Sequence, residues 1–480
     1  MTRNKKAFFW TVFDKIGIQS FTFVIGIFLA RLLTPFDYGV VGLSTIFISL
    51  TDILIESGFS NALVRKQDRN QTDLSTAFYF NISISLLLYI LLFFASPYIA
   101  SFFDTPLLSS VLRVVGINLI INSWCVVQNA LFIAEFRLKI LAYINIASLI
   151  PSSLVAISLA FYGYGVYALV IQSVLSNFIR FILLWFYANW HPSLVFSKKS
   201  FDYLWGFGSK LILSRFIGVL FNKINTFIIG KYIGKSDLGF YSKAESLSSQ
   251  PDSIVSGVIS KVAVPIMSEC QHDKHSLLNC FRKYSKLFTF VLCYFCGVLF
   301  LIAQPLIIFL WTAKWTETIV IFRILLLASI LSPLSALNLI LLQVLNRTDM
   351  SLKLEIIKKT LYIPIVLLGA FYGLIGLSLA QIAISVVATI VNSFASKKYI
   401  EYSYVKQFCD VLSYMIPMSI SIAVPYMLVN GWIDNNIISI IIGIVSYTLV
   451  FFLLLFVTRD QLFLEYFESI QSLVLNRIKK

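Results

Sequence analysis

The sequence predicts an all-α protein that crosses a membrane many times. Of its 480 residues, 58% are hydrophobic and only 13% are charged, whereas roughly a quarter of the residues of a soluble domain are charged. The apolar residues form long runs, and about 20 of them suffice to cross a bilayer as a helix. The short turns between the runs alternate between Lys/Arg-rich and Lys/Arg-poor segments. Together these observations exclude a water-soluble globular fold.

Fourteen spans are expected in order. The first follows the basic start TRNKK, contains Asp14, Lys15 and Gln19, and is not closed by a small-x-small cleavage site, so we interpret it as a retained helix rather than a signal peptide. The predicted spans are 8–31, 39–62, 75–96, 108–134, 140–161, 166–188, 203–230, 238–265, 285–310, 317–345, 351–371, 374–396, 411–430 and 437–457.

The Lys and Arg residues predict the orientation of these spans. One set of turns carries most of them, while the opposite set holds Arg31, Lys231, Lys235 and Lys314. Because positive residues stay on the cytoplasmic side, we expect both termini in the cytoplasm. The net charge of +15 then reflects cytoplasmic loops, and no nucleic-acid partner is expected.

A weak internal repeat divides the chain. RLLTPFDYG (31–39) recurs as KYIGKSDLG (231–239), and the match extends without gaps to residue 64 at an offset of 200. An even number of spans between the copies predicts parallel halves related by an axis along the membrane normal, as in alternating-access carriers. The predicted domains are a six-helix bundle at 1–190, a second at 201–396, and two further helices with a cytoplasmic tail at 407–480.

The repeated turn itself is expected to be structural. Gly39 and Gly239 should begin the second helix of each half. Asp37 and Asp237 should lie near the N-terminus of that helix, where a negative charge is favoured.

Polar faces on the first two helices of each half predict a binding cavity between the halves. The excess of cations within the spans suits an anionic substrate, phosphate groups in particular. A Lys243–Glu245 pair would be structural instead. Lys15 pairing with Asp14 or Asp52 is the structural alternative. The candidate substrate-binding residues are Lys15, Arg215, Lys223, Arg113, Gln19 and Asn222.

Four carboxylates on the same helices are candidates for ion coupling. Asp52, Glu56, Glu245 and Asp252 lie within predicted spans, where a carboxylate either pairs with a cation or binds a proton or sodium ion. Beyond such an ion, no cofactor is expected.

The sequence offers little for catalysis. It has no Ser/His/Asp set and no phosphate-binding glycine loop, and the outer loops are too short for a catalytic domain. The segment CQHDKHSLLNC (270–280) lacks the usual spacing of zinc ligands, so we expect neither a metal site nor an enzyme.

Three segments resemble a known family. ARLLTPFDYGVVGLSTIFISLTDILIESGFSNALVRKQD (30–68), GKYIGKSDLGFYSKAESL (230–247) and GYGVYALV (163–170) are similar to polysaccharide flippases of the MOP exporter superfamily, in particular the Wzx-type O-antigen and colanic-acid-like transporters. The resemblance covers essentially the whole chain and its fourteen helices.

The resemblance implies a function in the bacterial inner membrane. Such proteins move an undecaprenyl-pyrophosphate-linked oligosaccharide from the cytoplasmic to the periplasmic leaflet, with a polysaccharide polymerase and a chain-length regulator as further partners. Lys15 and Arg215 would contact the pyrophosphate or an anionic sugar. The alternatives are an ion-coupled multidrug exporter, which would call for an acidic cavity, and an integral-membrane glycan-processing enzyme, which would call for large outer loops or histidine clusters in the membrane.

Overall fold

The computed structural model describes residues 3–56, 59–429 and 435–465. Within these ranges the chain is almost wholly α-helical, and no β-strand occurs. The α-helices are α1 (Arg3–Leu32), α2 (Pro35–Glu56), α3 (Phe59–Arg65), α4 (Gln71–Phe102), α5 (Leu107–Ala134), α6 (Leu138–Phe161), α7 (Val166–Tyr187), α8 (Lys198–Ile228), α9 (Lys235–Glu269), α10 (Lys274–Leu301), α11 (Ala303–Trp311), α12 (Glu317–Ser329), α13 (Ser332–Val344), α14 (Thr348–Phe371), α15 (Gly373–Ile400), α16 (Tyr404–Val429) and α17 (Asn436–Val457).

Eleven helical stretches of the described chain are long and apolar enough to cross a membrane, so the prediction of an all-α, multi-pass membrane protein is confirmed. They correspond to eleven of the fourteen predicted spans. The other three predicted spans, 8–31, 238–265 and 351–371, are also helical but more polar, as parts of α1, α9 and α14. Polar helices in a membrane protein usually face protein or a cavity instead of lipid.

Two predicted spans contain helix breaks. The span 285–310 corresponds to α10 and α11, and 317–345 to α12 and α13. Helix α10 begins earlier than expected because the Asp273 carboxylate accepts hydrogen bonds from the backbone N–H groups of His275 and Ser276. This N-cap draws much of the presumed loop 270–280 into the helix.

The chain divides into two compact units, Met1–Ser242 and Lys243–Lys480. In the first unit α5 is the central helix and packs against α2, α3, α4 and α7. In the second unit α15 packs against α12, α13 and α14, while α10 packs against α16 and α17. The six-helix bundles at 1–190 and 201–396 remain predictions.

Polar side chains link the helices of the first unit. In lipid such bonds are worth about 0.6 kcal/mol each, and close van der Waals packing supplies the remaining stabilisation. The pairs are Ser85–Ser123 between α4 and α5, Asn118–Ser173 between α5 and α7, and Gln172–Ser153 between α7 and α6, each at 2.9 Å.

The repeated turn starts a helix in both copies, but each helix begins four residues before the predicted start at Gly39 or Gly239. Helices α2 and α9 begin at Pro35 and Lys235, and each has the expected aspartate in its first turn. In the first copy, the backbone N–H and the hydroxyl of Thr34 donate to Asp37 Oδ2 at 2.8 and 2.7 Å. The prediction of a helix-starting turn is therefore confirmed.

The two glycines allow the helix starts to approach each other. A Cβ added to Gly39 would lie 1.7 Å from the backbone oxygen of Lys235, and one added to Gly239 would lie 1.9 Å from that of Pro35. Real Cβ atoms essentially never approach a backbone oxygen so closely, so each glycine contacts the first residue of the other helix.

Lys231 lies in a π-helical segment, Ile229–Ile233, between α8 and α9. Its ammonium contacts the Asp104 carboxylate at 2.9 Å and lies 4.9 Å from the centre of the Phe102 ring. This charge holds the pKa of Asp104 below its usual range. The Lys231–Asp104 ion pair connects the repeated turn to the turn between α4 and α5.

Candidate functional site

A cavity with a volume of about 670 Å³ lies in the first unit. It is bordered by α1, α3, α5, α6, α7 and α8, and we call it the arginine cavity. Its lining residues are Trp10, Asp14, Ser60, Asn61, Val126, Asn129, Ile133, Leu138, Leu141, Asn145, Arg180 and Arg215.

Arg180 is held in this cavity by neutral amides. Its Nε donates to Asn145 Oδ1 at 3.1 Å, and its Nη2 donates to Asn129 Oδ1 at 3.0 Å. Since a guanidinium has five N–H groups, three have no partner within the described residues. The positive charge and a fixed fork of donors are therefore available to a ligand.

Asn145 connects Arg180 to a carboxylate. Its Nδ2 donates to both oxygens of Asp14, at 3.2 and 3.1 Å. Among the described residues neither Asp14 nor Arg180 belongs to an ion pair within 4.0 Å, so the amide separates the two charges rather than allowing them to neutralise each other directly.

Arg215 supplies the second guanidinium of the lining, from α8, and its side chain is exposed. The charged lining thus consists of two guanidinium groups and one carboxylate. With Trp10 as an aromatic wall and several amides and a hydroxyl, the arrangement suits a ligand that has both an anionic group and sugar-like hydroxyls.

The other predicted substrate residues of α1 and α8 lie outside this lining. Lys15 is exposed on α1 next to Asp14, Gln19 is half-buried one turn further along, and Asn222 is exposed on α8. Their contact with substrate remains a prediction.

Arg113 faces a neighbouring helix. Its Nε donates to Ser96 at 2.9 Å, and its guanidinium lies 4.4 Å from the centre of the Phe93 ring. Both partners belong to α4, and Arg113 lines neither cavity described here. The contacts fit a packing role, and a substrate role remains a prediction.

A second cavity of the first unit, the polar cavity, lies between α2, α5 and α7 and has a volume of about 200 Å³. Asp52 is part of its wall. Lys223 approaches the same wall from α8, because its Nζ donates to Thr45 Oγ1 at 3.1 Å. Of the two predicted site residues, Asp52 therefore lines this cavity and Lys223 contacts one of its lining residues.

The remaining predicted carboxylates have different surroundings. Asp252 of the second unit accepts hydrogen bonds from Ser332 and, at 3.4 Å, from Ser256. Glu245, also in that unit, is exposed. Glu56 ends α2, and its side chain lies outside the described residues.

Three residues of the arginine cavity were missed from the sequence: Arg180, Asn129 and Asn145. Arg180 lies near the middle of the predicted span 166–188, so the rule that singles out charges within spans could have found it. The two asparagines had no such signal, since a lone amide in an apolar run is ordinary. Their role depends on the packing of α5 and α6 beside α7.

The family comparison gives the class of protein. A family model described as "Polysaccharide biosynthesis protein" matches residues 28–320, more than half of the chain. The chain therefore belongs to this polysaccharide biosynthesis family.

Curated relatives fit this family. The chain is 26% identical to the succinoglycan biosynthesis transport protein ExoT of Rhizobium meliloti (strain 1021), over 68% of this chain and 66% of that protein. It is 21% identical to the lipopolysaccharide biosynthesis protein WzxC of Escherichia coli (strain K12), over 86% of this chain and 84% of that protein. The chain thus spans slightly less than two thirds of ExoT. The predicted resemblance to Wzx-type flippases is confirmed.

Solved structures show the same fold. The lipid II flippase MurJ, in an inward closed conformation, superimposes with a TM-score of 0.72 at 18% identity over 94% of this chain and all of that chain. An inward-facing MATE-family multidrug resistance transporter of the MOP superfamily superimposes with a TM-score of 0.60 at 16% identity, over 80% of this chain and 95% of that chain. At these identities the likeness establishes the fold.

Proposed function

We propose that this protein is a flippase for an undecaprenyl-pyrophosphate-linked oligosaccharide. It would move the repeat unit from the cytoplasmic to the periplasmic leaflet for O-antigen, capsule or exopolysaccharide synthesis. The observation that carries the proposal is the arginine cavity, in a chain that belongs to a polysaccharide biosynthesis family.

The chemistry of the cavity supports such a cargo. A pyrophosphate requires several donors and positive charge, and Arg180 and Arg215 supply guanidinium groups that suit phosphate geometry. Asn61 and Asn129 offer amides to sugar hydroxyls, and the Trp10 ring offers an apolar face. The polyprenyl chain can remain in lipid because only the polar head needs a cavity.

The same cavity disfavours the main alternative of the superfamily. A multidrug exporter for cationic compounds would place carboxylates in its binding cavity. Here two guanidinium groups face one carboxylate, so a cationic drug would meet net repulsion.

The proposal includes the finer architecture and setting. Fourteen membrane helices would form two six-helix bundles and a further pair, and the protein would work by alternating access. The membrane would be the bacterial inner membrane with both termini in the cytoplasm, and the transport would be coupled to a proton or sodium gradient. A polysaccharide polymerase and a chain-length regulator are the partners expected to use the product.

Deleting the protein from its host tests the proposal. The expected result is that undecaprenyl-pyrophosphate-linked oligosaccharide accumulates in the inner leaflet and the surface glycan is lost, as measured by mass spectrometry of extracted lipids and glycan staining. Normal surface glycan with no accumulated lipid intermediate would contradict it.

Complementation of the deletion then tests the cavity. Arg180→Gln and Arg215→Gln should restore little surface glycan, because each removes a charge-assisted contact worth about 1.5–3 kcal/mol, or roughly 10–100-fold in transport. Lys15→Ala should impair transport if Lys15 also reaches the cargo. Arg459→Gln, at an exposed arginine after α17, is the matched control and should complement fully at equal membrane abundance.

A further inference from the structure

A further cavity of the first unit lies where α5 and α7 end, and we call it the linker cavity. Its volume is about 190 Å³. Its wall is formed by α4, by α5 with the turn that follows it, and by the first residues of the segment 188–197 that links α7 to α8. The turn after α5 carries Arg137 and Lys139, so it belongs to the Lys/Arg-rich turns that are expected on the cytoplasmic side.

Gln128 of α5 lies at the bottom of the linker cavity. Its side chain is fully buried. Neither its Nε2 nor its Oε1 has a hydrogen-bond partner within the described residues. Buried polar groups are almost always hydrogen-bonded, and this amide has two N–H donors and one oxygen acceptor. The cavity therefore calls for a ligand that both accepts and donates hydrogen bonds.

Trp190 supplies a fixed aromatic wall. Its Nε1 donates to Gln71 Oε1 at 2.5 Å, and its ring packs edge-on against Phe78 with the ring centres 5.8 Å apart. The Nε2 of Gln71 donates in turn to the backbone oxygen of His191 at 2.7 Å. These contacts attach the linker to α4, so the indole is in place before a ligand arrives, which lowers the cost of binding.

The mouth of the linker cavity is polar but carries no net charge. Glu135 and Asn189 are exposed there. The Arg137 guanidinium lies 3.6 Å from the Glu135 carboxylate and donates to the backbone oxygen of Tyr187 at 3.0 Å. Glu135 and Arg137 are the two charged residues of the described lining, so their charges balance, in contrast to those of the arginine cavity.

This lining selects a neutral sugar ring. Each sugar hydroxyl both donates and accepts hydrogen bonds, as the buried amide requires, and the C–H groups on one side of a pyranose ring suit an aromatic wall. A phosphate would find no net positive charge, and a hydrocarbon chain would leave Gln128 without a partner. The volume is below the roughly 300 Å³ at which pockets for larger ligands begin, so the cavity suits a single ring.

We propose that the linker cavity binds one neutral pyranose sugar, with Gln128 hydrogen-bonded to its hydroxyls, Trp190 against its ring, and Glu135 and Arg137 at its edge. The site is separate from the arginine cavity and lies on the side expected to be cytoplasmic. The inference rests on the proposed function only for the source of the sugar. That source is either the repeat unit before it is flipped or a soluble sugar of the cytoplasm, and both present the same ring chemistry.

Sugar binding to the purified full-length protein tests this site without any transport. The protein is placed in phosphatidylcholine nanodiscs, because many detergents carry sugar head groups. Saturation-transfer NMR is recorded with glucose, galactose and N-acetylglucosamine, and a diazirine-bearing N-acetylglucosamine is cross-linked and mapped by mass spectrometry. We expect binding of at least one of these sugars, with cross-links within 128–137 or 188–190. Gln128→Leu should weaken that binding at least about tenfold.

Two further variants make the test specific. Gln381→Leu is the matched control, because Gln381 of α15 also has a buried Nε2 without a partner in the described chain but lines none of the cavities above. It should bind the sugar as the unchanged protein does. Asn189→Ala removes an amide at the exposed mouth and should weaken binding moderately, which keeps the test decisive if Gln128→Leu fails to fold.

A competition experiment distinguishes the two sources of the sugar. Undecaprenyl-pyrophosphate-linked oligosaccharide is added to the nanodiscs in the presence of the bound monosaccharide. Displacement of the monosaccharide would identify the repeat unit as the source. Unchanged binding of the monosaccharide would identify a soluble sugar as the source, and either result supports the site.

Three results would overturn the inference. The first is no binding of any of the three sugars, which means that the linker cavity holds water only. The second is equal affinity in Gln128→Leu and the unchanged protein, and the third is cross-linking confined to other segments. Flipping without sugar binding at this site would remove the inference and leave the proposed function. Sugar binding by a protein that does not flip the lipid would remove the proposed function and leave the site.

Discussion

Arg180 shows how a guanidinium can be placed in a membrane cavity without direct neutralisation. Its guanidinium donates hydrogen bonds to the side-chain oxygens of two asparagines, and the amide nitrogen of one of them, Asn145, donates to Asp14. The amide oxygens orient the guanidinium of Arg180. Its positive charge remains available to an anionic ligand, because a neutral acceptor does not cancel that charge. A direct Asp14–Arg180 pair would have satisfied both charges and left little for an anionic cargo.

Arg180→Lys separates charge from geometry. The ammonium keeps the positive charge but cannot hold both amides in the fork arrangement, so we expect transport to fall about tenfold while the protein remains folded. The measurement is the transport rate at matched membrane abundance, beside Arg459→Lys as the control. Full activity of Arg180→Lys would show that only the charge matters.

In the second unit, Asp410 is expected to stabilise the packing of two helices. Its carboxylate binds Arg282 Nε and Nη2 at 2.6 and 2.8 Å, lies 3.3 Å from Lys286 and also accepts from Tyr402. These contacts join α10 to α16. Removing the carboxylate would leave Lys286 and the half-exposed Arg282 close together without the negative charge that they share.

Asp410→Asn should therefore lower the stability by about 1–3 kcal/mol, a range that allows for the half-exposed Arg282. Thermal unfolding in detergent is the measurement, and the midpoint should fall by several degrees. Asp349→Asn, at an exposed aspartate, should change it much less. Equal midpoints for the two variants would refute the role of the network.

At the scale of helices, the repeated turn makes a reciprocal contact. The first residue of α9 lies against Gly39 of α2, and the first residue of α2 lies against Gly239 of α9. Each position demands the absence of a Cβ in the arrangement seen here. The repeat thus has a physical consequence: the same glycine in each copy allows the two helix starts to touch.

Gly39→Ala and Gly239→Ala should force these helix starts apart, because neither neighbour is a side chain that can rotate away. We expect a loss of about 1–3 kcal/mol, as for other overpacked contacts, measured as a lower thermal midpoint. Gly26→Ala is the matched control, since a Cβ there meets nothing within 4 Å and alanine favours a helix. If Gly39→Ala is as stable as Gly26→Ala, the close contact is not present in the protein.

For the whole molecule, the charge distribution predicts one orientation. Cysteines introduced by Tyr164→Cys and by Arg347→Cys, each in a chain without its native cysteines, should react differently with a membrane-impermeant maleimide added outside intact cells. We expect labelling of the first and not of the second, because Lys/Arg-rich turns stay inside. The reverse pattern would invert the orientation and the direction of transport.

The sequence predicted much of this fold because hydrophobic runs and turn chemistry are local signals. Asp37 and Asp237 lie in the first turns of α2 and α9 as predicted, although these helices start four residues before the predicted glycines. The described parts of the predicted spans are largely helical. The breaks that separate α10 from α11 and α12 from α13 were missed, although the sequence carries a local signal for them. Pro305 and Pro333 lie in the first turns of α11 and α13, and a proline cannot continue the preceding helix without loss of a backbone hydrogen bond. The Asp273 cap was visible in the sequence but was read as part of a loop.

The candidate sites were predicted less completely. Arg215 and Asp52 were chosen because charges within spans are costly, and both line cavities. Arg113 was chosen by the same rule, but its helix face points to Ser96 and Phe93. A helical wheel gives relative directions on one helix, and it does not say which neighbour occupies each direction, so Asn129 and Asn145 could emerge only from the packed structure.

The most direct test of the central claim is the flipping rate in proteoliposomes that contain the purified protein and a fluorescent undecaprenyl-pyrophosphate-linked oligosaccharide. Access of a membrane-impermeant quencher reports how fast the lipid changes leaflet. The account predicts rapid flipping with the unchanged protein and at least about a tenfold slower rate with Arg180→Gln or Arg215→Gln. A rate no faster than in protein-free vesicles, or equal rates for all variants, would contradict it.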